Sequence, residues 1–85
     1  MSKWETTGYS NNGKIKTQKA IIKGKEYIKS TSYDGSGRVT NIENFIFSEE
    51  IGELVEQGES IFYEEGKRSL LINYKNGKEV EKVYS

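Results

Sequence analysis

Most of the side chains that enzymes use for catalysis and metal binding do not occur in this sequence of 85 residues. It contains no histidine and no cysteine. Histidine is the commonest general base and metal ligand, and cysteine supplies thiolates for catalysis and for zinc. Asp34 is the one aspartate, and no phosphate-binding, dinucleotide-binding or EF-hand motif accompanies the glutamates, lysines and tyrosines. We therefore expect no enzymatic activity, no cofactor and no metal site.

Carboxylates form the most uneven pattern in the chain, since residues 43–66 contain eight glutamates and no basic residue. Glu49, Glu53 and Glu56 have the spacing of one helix face, which could hold a divalent cation but is more often a solvated surface. Acidic surfaces usually also carry lysines. Their absence here favours a protein partner with a basic surface. The residues predicted to bind this partner are Glu49, Glu50, Glu53, Glu56, Phe45 and Phe62.

Residues 1–42 have the opposite character, with eight basic and three acidic side chains. Alternation along a strand would place Tyr27, Lys29 and Tyr33 on one face of a sheet. Lysine-rich sheets with aromatic side chains are typical of proteins that bind single-stranded nucleic acid. The scarcity of arginine and the zero net charge count against this alternative. Its predicted residues are Lys14, Lys16, Lys19, Lys25, Lys29, Trp4, Tyr9, Tyr27 and Tyr33.

The composition predicts one small folded domain over residues 1–85. Nine isoleucines and ten aromatic residues argue against disorder, although only 33% of residues are hydrophobic. A chain this short buries little surface, so we expect a thin core, and a homodimer is a plausible way to bury more of it. No apolar stretch is long enough to cross a bilayer, and none near Met1 is typical of a signal peptide. We expect a cytoplasmic protein without membrane contact.

Residue types with AT-rich codons dominate the sequence, which favours an AT-rich genome such as that of a low-GC Gram-positive bacterium or its phage. Combined with the small size and the acidic segment, this predicts a non-enzymatic protein-binding module. The specific hypothesis is a phage or mobile-element inhibitor of a host defence protein. The alternatives are the single-stranded nucleic-acid-binding domain described above and a self-assembling structural protein.

Glycine- and asparagine-rich turns predict the elements that would position these residues. The predicted turns are Asn11-Asn12-Gly13, Lys23-Gly24, Asp34–Gly37, Glu65-Gly66 and Lys75-Asn76-Gly77. The predicted strands are 3–10, 14–22, 25–33, 38–47, 60–64, 69–74 and 78–84. At Gly24 two interpretations stay open: a tight hairpin, or one long bent strand over 14–33. The fourth strand could also break near Glu43-Asn44.

One short helix is predicted near 48–57. Ser48 suits the N-cap, and Glu49 and Glu50 suit the first turn. An apolar stripe follows, and Gly58 suits a left-handed C-cap. The fold class is therefore α+β, mainly β: a twisted antiparallel sheet or small open barrel of about six strands with one helix.

Turn type also predicts strand register. A three-residue first loop pairs Tyr9 with Ile15 and Glu5 with Lys19. For the last hairpin a three-residue loop, pairing Ile72 with Val80, is favoured over a two-residue loop that pairs Ile72 with Glu81. The predicted core comprises Ile21, Ile28, Val39, Ile42, Phe45, Phe47, Ile51, Leu54, Val55, Phe62, Leu70, Ile72 and Val80.

Overall fold

A computed structural model describes residues 4–84, which form one open antiparallel sheet of eight strands. The strands are β1 (Glu5–Ser10), β2 (Ile15–Ile22), β3 (Lys25–Tyr33), β4 (Val39–Ser48), β5 (Glu53–Glu56), β6 (Gly58–Glu64), β7 (Lys67–Lys75) and β8 (Lys78–Tyr84). Their order is β1-β2-β3-β4-β6-β7-β8, and β5 also pairs with β4. The mainly β prediction is confirmed. The first strand's predicted start, residue 3, lies outside the described residues.

Turns form at all five predicted positions, and three of them share one backbone conformation. Lys23-Gly24, Glu65-Gly66 and Asn76-Gly77 each have two successive residues with positive φ, between 50° and 85°. Two-residue turns of this kind match the right-handed twist of the strands they join. The chain therefore makes a tight hairpin at Gly24, and the alternative of one long bent strand is wrong. The fourth strand is continuous, without a break near Glu43-Asn44.

The predicted helix is wrong, since the described residues contain strands and turns only. The predicted N-cap, Ser48, nevertheless makes the hydrogen bonds of a helix start. Its Oγ accepts the Ile51 N–H at 3.4 Å, and its carbonyl accepts the Gly52 N–H at 2.7 Å. One helical turn results. Gly52 then adopts a φ of 83°, outside the right-handed helical region. The chain then reverses into β5, which pairs with β4 on the side away from β3. Leu54 of β5 lies opposite Phe47 of β4.

A bend at Gln57-Gly58 lets β5 and β6 pair with successive parts of β4. The Gln57 N–H donates to the Asn44 carbonyl at 3.0 Å, and Gly58, the predicted helix C-cap, has its left-handed φ of 86° at this bend. Gln57 Oε1 also accepts the Asn76 N–H at 2.8 Å, and the Glu56 carbonyl accepts the Gly77 N–H at 2.8 Å. These bonds hold the tip of the β7–β8 hairpin against β5.

The sheet is a single layer, because the strands make their main contacts with hydrogen-bonded neighbours. Three apolar side chains in the described chain are buried, Ala20, Ile46 and Ile72, at 3–8% exposure. Ile72 was predicted in the core, whereas Ala20 and Ile46 were not. Five predicted core residues are 42–63% exposed, namely Ile21, Phe47, Ile51, Leu54 and Val80. The other seven are half-buried. The core prediction fails because no second layer covers these strands.

Two β-bulges alter the predicted registers. Glu5 lies opposite Lys19 as predicted, but Tyr9 lies opposite Lys16, because the first turn takes four residues and Thr7 bulges from β1. In the last hairpin a two-residue turn pairs Lys75 with Lys78, and a bulge then places Ile72 opposite Lys82. The favoured three-residue loop is therefore wrong.

None of the described segments is a helix long and apolar enough to cross a membrane.

Candidate functional surfaces

The residues predicted to bind nucleic acid gather on one side of β1–β4, which we call the basic face. Residues directly opposite each other in an antiparallel ladder share a face. Tyr9 lies opposite Lys16, and Lys25 and Tyr27 lie opposite Ile22 and Ala20. By this register the basic face carries Trp4, Tyr9, Lys16, Lys25, Tyr27, Lys29 and Tyr33. Seven of the nine predicted residues thus share one surface.

The acidic side chains of β1–β4 lie on the opposite face. Glu5 is opposite Lys19, Glu26 is opposite Ile21, and Glu43 is opposite Ser30. In each strand these acidic residues occupy the positions between those of the basic face, so their side chains point to the other side of the sheet. Within strands β1–β4, lysines are therefore the only charged side chains on that face. The even alternation of the strands separates the two signs of charge, although residues 5–48 contain both.

Trp4 and Lys29 form a contact in the middle of the basic face. The Lys29 Nζ lies 4.5 Å from the centroid of the Trp4 ring, within the range of a cation–π interaction. Both side chains are half-buried, and Trp4 is the only tryptophan in the sequence. The contact holds the indole against the sheet with one ring face toward the ammonium group.

Two residues of the predicted nucleic-acid set lie elsewhere. Lys19 lies on the opposite face, where its Nζ is 3.5 Å from Glu26 Oε1. Lys14 lies in the β1–β2 turn, at the end of the basic face. Its carbonyl accepts the Tyr33 N–H at 2.7 Å, which places the turn beside that tyrosine.

The six residues predicted to bind a protein do not form a single surface, because the helix that would have aligned the glutamates does not exist. Glu49 and Glu50 are exposed in the β4–β5 loop. Glu53 and Glu56 lie opposite Ser48 and Phe45, and therefore on different faces of β5. Phe45 and Phe62 are half-buried on strands β4 and β6.

A cluster of exposed hydrophobic side chains does lie next to that loop, and we call it the apolar end. Ile21 of β2, Phe47 of β4, Leu54 of β5 and Ile51 of the loop are between 42% and 60% exposed. Phe47 is opposite Leu54, and Glu26 of β3 stands between the β2 and β4 members. This surface was not predicted, because all four residues were expected in the core. Ile21 and Phe47 lie near the ends of two predicted strands that run in the same direction, and Ile51 and Leu54 follow shortly after Phe47. This was the signal that could have grouped them.

An open cleft of about 440 Å³ lies at the same end of the sheet. The β2–β3 turn, the end of β4, the β4–β5 loop and Asn76 line it. Its charged lining residues are Lys25, Glu26, Glu49 and Glu50. The cleft therefore lies between the acidic β4–β5 loop, with Glu49 and Glu50, and Lys25 at the edge of the basic face.

Two ionisable groups have shifted pKa values. Hydrogen bonds from the Ser36 hydroxyl and the Arg38 N–H lower the pKa of Asp34 to about 2. That carboxylate stabilises the β3–β4 turn. Burial, together with the negative charges of Glu56 and Glu79, raises the pKa of Tyr74. Across residues 4–84, no three carboxylates lie close enough together to hold a metal ion.

No protein-family model matches the chain, and neither a curated protein nor a solved structure does. The function therefore has to be inferred from the chemistry of these surfaces.

Proposed function

We propose that the protein is a non-enzymatic binding module whose apolar end docks on a partner protein. The observation that supports this is the exposure of four large hydrophobic side chains at one end of the sheet, beside the acidic β4–β5 loop. Large hydrophobic side chains that are exposed close together and bordered by polar residues are typical of protein interaction sites. The partner is expected to have an apolar centre bordered by lysines or arginines.

The acidic residues that border the apolar end, Glu49, Glu50 and Glu53, are not neutralised by ion pairs within the described chain. The three ion pairs among residues 4–84 use the carboxylates of Glu26, Asp34 and Glu79. Glu49, Glu50 and Glu53 belong to none of them. These unpaired carboxylates would attract the basic surface of a partner. The attraction would speed association, and added salt would screen it.

The apolar end can supply the larger part of the binding energy. Burying a whole isoleucine, leucine or phenylalanine side chain contributes about 1.5–3 kcal/mol. About half of each of the four side chains remains exposed, so each has about 1 kcal/mol left to contribute. Loss of one such contribution weakens binding about fivefold. Ile51 is the best position to test, because its substitution in an exposed loop spares the strands.

Charge reversal with a matched control tests the proposal. The E49K/E50K variant reverses the acidic loop, and the E64K/E65K variant makes the same change in net charge at the β6–β7 turn. That turn lies at the other end of the sheet, since Gly66 is close to Arg38 of the β3–β4 turn. Each immobilised variant would be exposed to a lysate of the cell that makes the protein.

We expect a protein that is retained by the natural chain and by E64K/E65K but lost with E49K/E50K and with Ile51→Asp. Retention should also fall as salt increases. Equal retention by all variants, or no retained protein, would refute docking through the apolar end.

A further inference from the structure

We infer that the basic face is a second binding site, and that its ligand is single-stranded nucleic acid. It carries Lys16, Lys25 and Lys29, and strands β1–β4 place no carboxylate on the same face. The first carboxylate on this side of the sheet is that of Glu53 in β5, opposite Ser48 at the end of β4. Four aromatic residues share this face: Trp4 contacts Lys29, Tyr9 lies opposite Lys16, and Tyr27 and Tyr33 lie on β3 with Lys25 and Lys29. Single-strand-binding surfaces combine the same two components, positive charge for phosphates and rings for bases.

Strand β3 arranges the two components in a line. Its residues on the basic face are Lys25, Tyr27, Lys29, Thr31 and Tyr33. Successive members lie about 6.8 Å apart, so the line is about 27 Å long. Lysines and tyrosines alternate over its first half. An extended strand of nucleic acid lying along β3 would meet ammonium groups and ring faces in turn.

The shape of the surface favours unpaired bases. Reading a duplex requires an element that enters a groove, such as a helix or a protruding ribbon. The described part of β1–β4 presents a sheet face instead, with the half-buried rings of Trp4, Tyr27 and Tyr33 and the exposed ring of Tyr9. Base faces are open to stacking only when the strand is single. Lysine does not form the bidentate contacts that arginine makes with base edges, so the binding should depend little on sequence.

The Trp4–Lys29 contact gives this site an internal reporter. The Lys29 ammonium lies against one face of the indole ring, 4.5 Å from its centroid. A base would stack on the other face, or would replace Lys29 and release its ammonium group toward a phosphate. Either event changes the surroundings of the indole. Because the protein has one tryptophan, its fluorescence reports on the basic face alone.

The experiment is a titration with a labelled oligothymidylate that is long enough to span the sheet, over a series of salt concentrations. Label anisotropy and Trp4 fluorescence would be recorded together, and a duplex of equal length would be titrated in parallel. We expect the two signals to saturate together for the single strand. The duplex should bind more weakly.

Lysine variants with matched charge test the position of the site. Lys16→Ala and Lys25→Ala should each lower the slope of log K against log salt by about 0.7, the loss of one phosphate contact. Lys19→Ala removes the same charge from the opposite face and should leave affinity and slope unchanged. If Lys19→Ala weakens binding as much as Lys16→Ala, the site is not on the basic face.

Tyrosine variants test stacking. Tyr9→Ala should lower affinity at least about fivefold, whereas Tyr84→Ala, an equally exposed tyrosine on the other outer strand, should not. Ile51→Ala, which weakens docking at the apolar end, should leave oligonucleotide binding intact, so the two proposals fail separately. No binding at low salt, unchanged Trp4 fluorescence, or equal affinity for the duplex would overturn the inference.

Discussion

Replacing Ser60 by alanine should stabilise the protein, although Ser60 is the most deeply buried residue described. Its relative exposure is 1%, and its hydroxyl oxygen has no hydrogen-bond partner among the described residues. A buried hydroxyl without a partner costs about 1–3 kcal/mol. Removing the oxygen leaves a void smaller than a methyl group, which costs less than about 1 kcal/mol. The expected net gain is about 1 kcal/mol.

Ser69 of β7 provides a matched control. Its hydroxyl donates a hydrogen bond to the Phe62 carbonyl at 3.2 Å in a partly buried position. Ser69→Ala should therefore cost about 1 kcal/mol, the net contribution of a typical hydrogen bond. The same substitution on two paired strands should thus give opposite signs and a difference of about 2 kcal/mol.

Urea unfolding followed by circular dichroism would measure both changes. The slope of free energy against urea should stay constant, since neither variant changes the surface exposed on unfolding. In a domain of this size a gain of about 1 kcal/mol raises Tm by about 4–8 °C. If Ser60→Ala is less stable than the natural chain, the hydroxyl has a partner in solution and the packing described around β6 is wrong.

Two further predictions concern the turns. Gly52→Ala should destabilise the protein by about 1–2 kcal/mol, because φ at this residue is 83° and an L-residue is strained there. Gly35→Ala, which has equal free space and no positive φ, should be neutral or slightly stabilising, and equal losses in thermal unfolding would contradict this. The pKa of Asp34, about 2, lies below its unfolded value near 4, so protonation favours unfolding. The advantage of the natural chain over Asp34→Asn should be complete above pH 4 and shrink toward pH 2; a constant difference in urea midpoint over that range would refute it.

The positions of the turns could be predicted because their chemistry is local. Asn76-Gly77 adopts positive φ with few sterically suitable alternatives, and its chemistry reverses the chain locally. At Lys23-Gly24 the sequence left a bent strand open as an alternative, and the positive φ of both residues shows the hairpin. The boundaries of β3 follow directly, since turns flank it on both sides. The lysines and tyrosines of the basic face could be grouped for the same reason, because alternation along a strand follows from its pleat.

The helix and the core could not be predicted, because they depend on what the segments contact. Ser48 and Gly58 have the local properties of helix caps, yet pairing of residues 53–56 with β4 outweighs a helix that Gly52 already weakens. The exposed positions of Phe47 and Leu54 depend on the absence of a second layer in the described fold. Lys19 was grouped with the other lysines by its charge, although its predicted and observed position opposite Glu5 places it on the other side of the sheet.

The single-layer sheet also determines how stability varies with temperature. The heat capacity of unfolding comes mainly from apolar surface that becomes hydrated. Most apolar side chains of the sheet are only half-buried, so unfolding hydrates less new apolar surface than in a two-layer domain. The heat capacity change should therefore fall below the usual value of about 12–15 cal/mol/K per residue. A smaller heat capacity change makes the enthalpy of unfolding vary less with temperature and broadens the stability curve. Cold denaturation should accordingly occur at a lower temperature than in a two-layer domain of the same length.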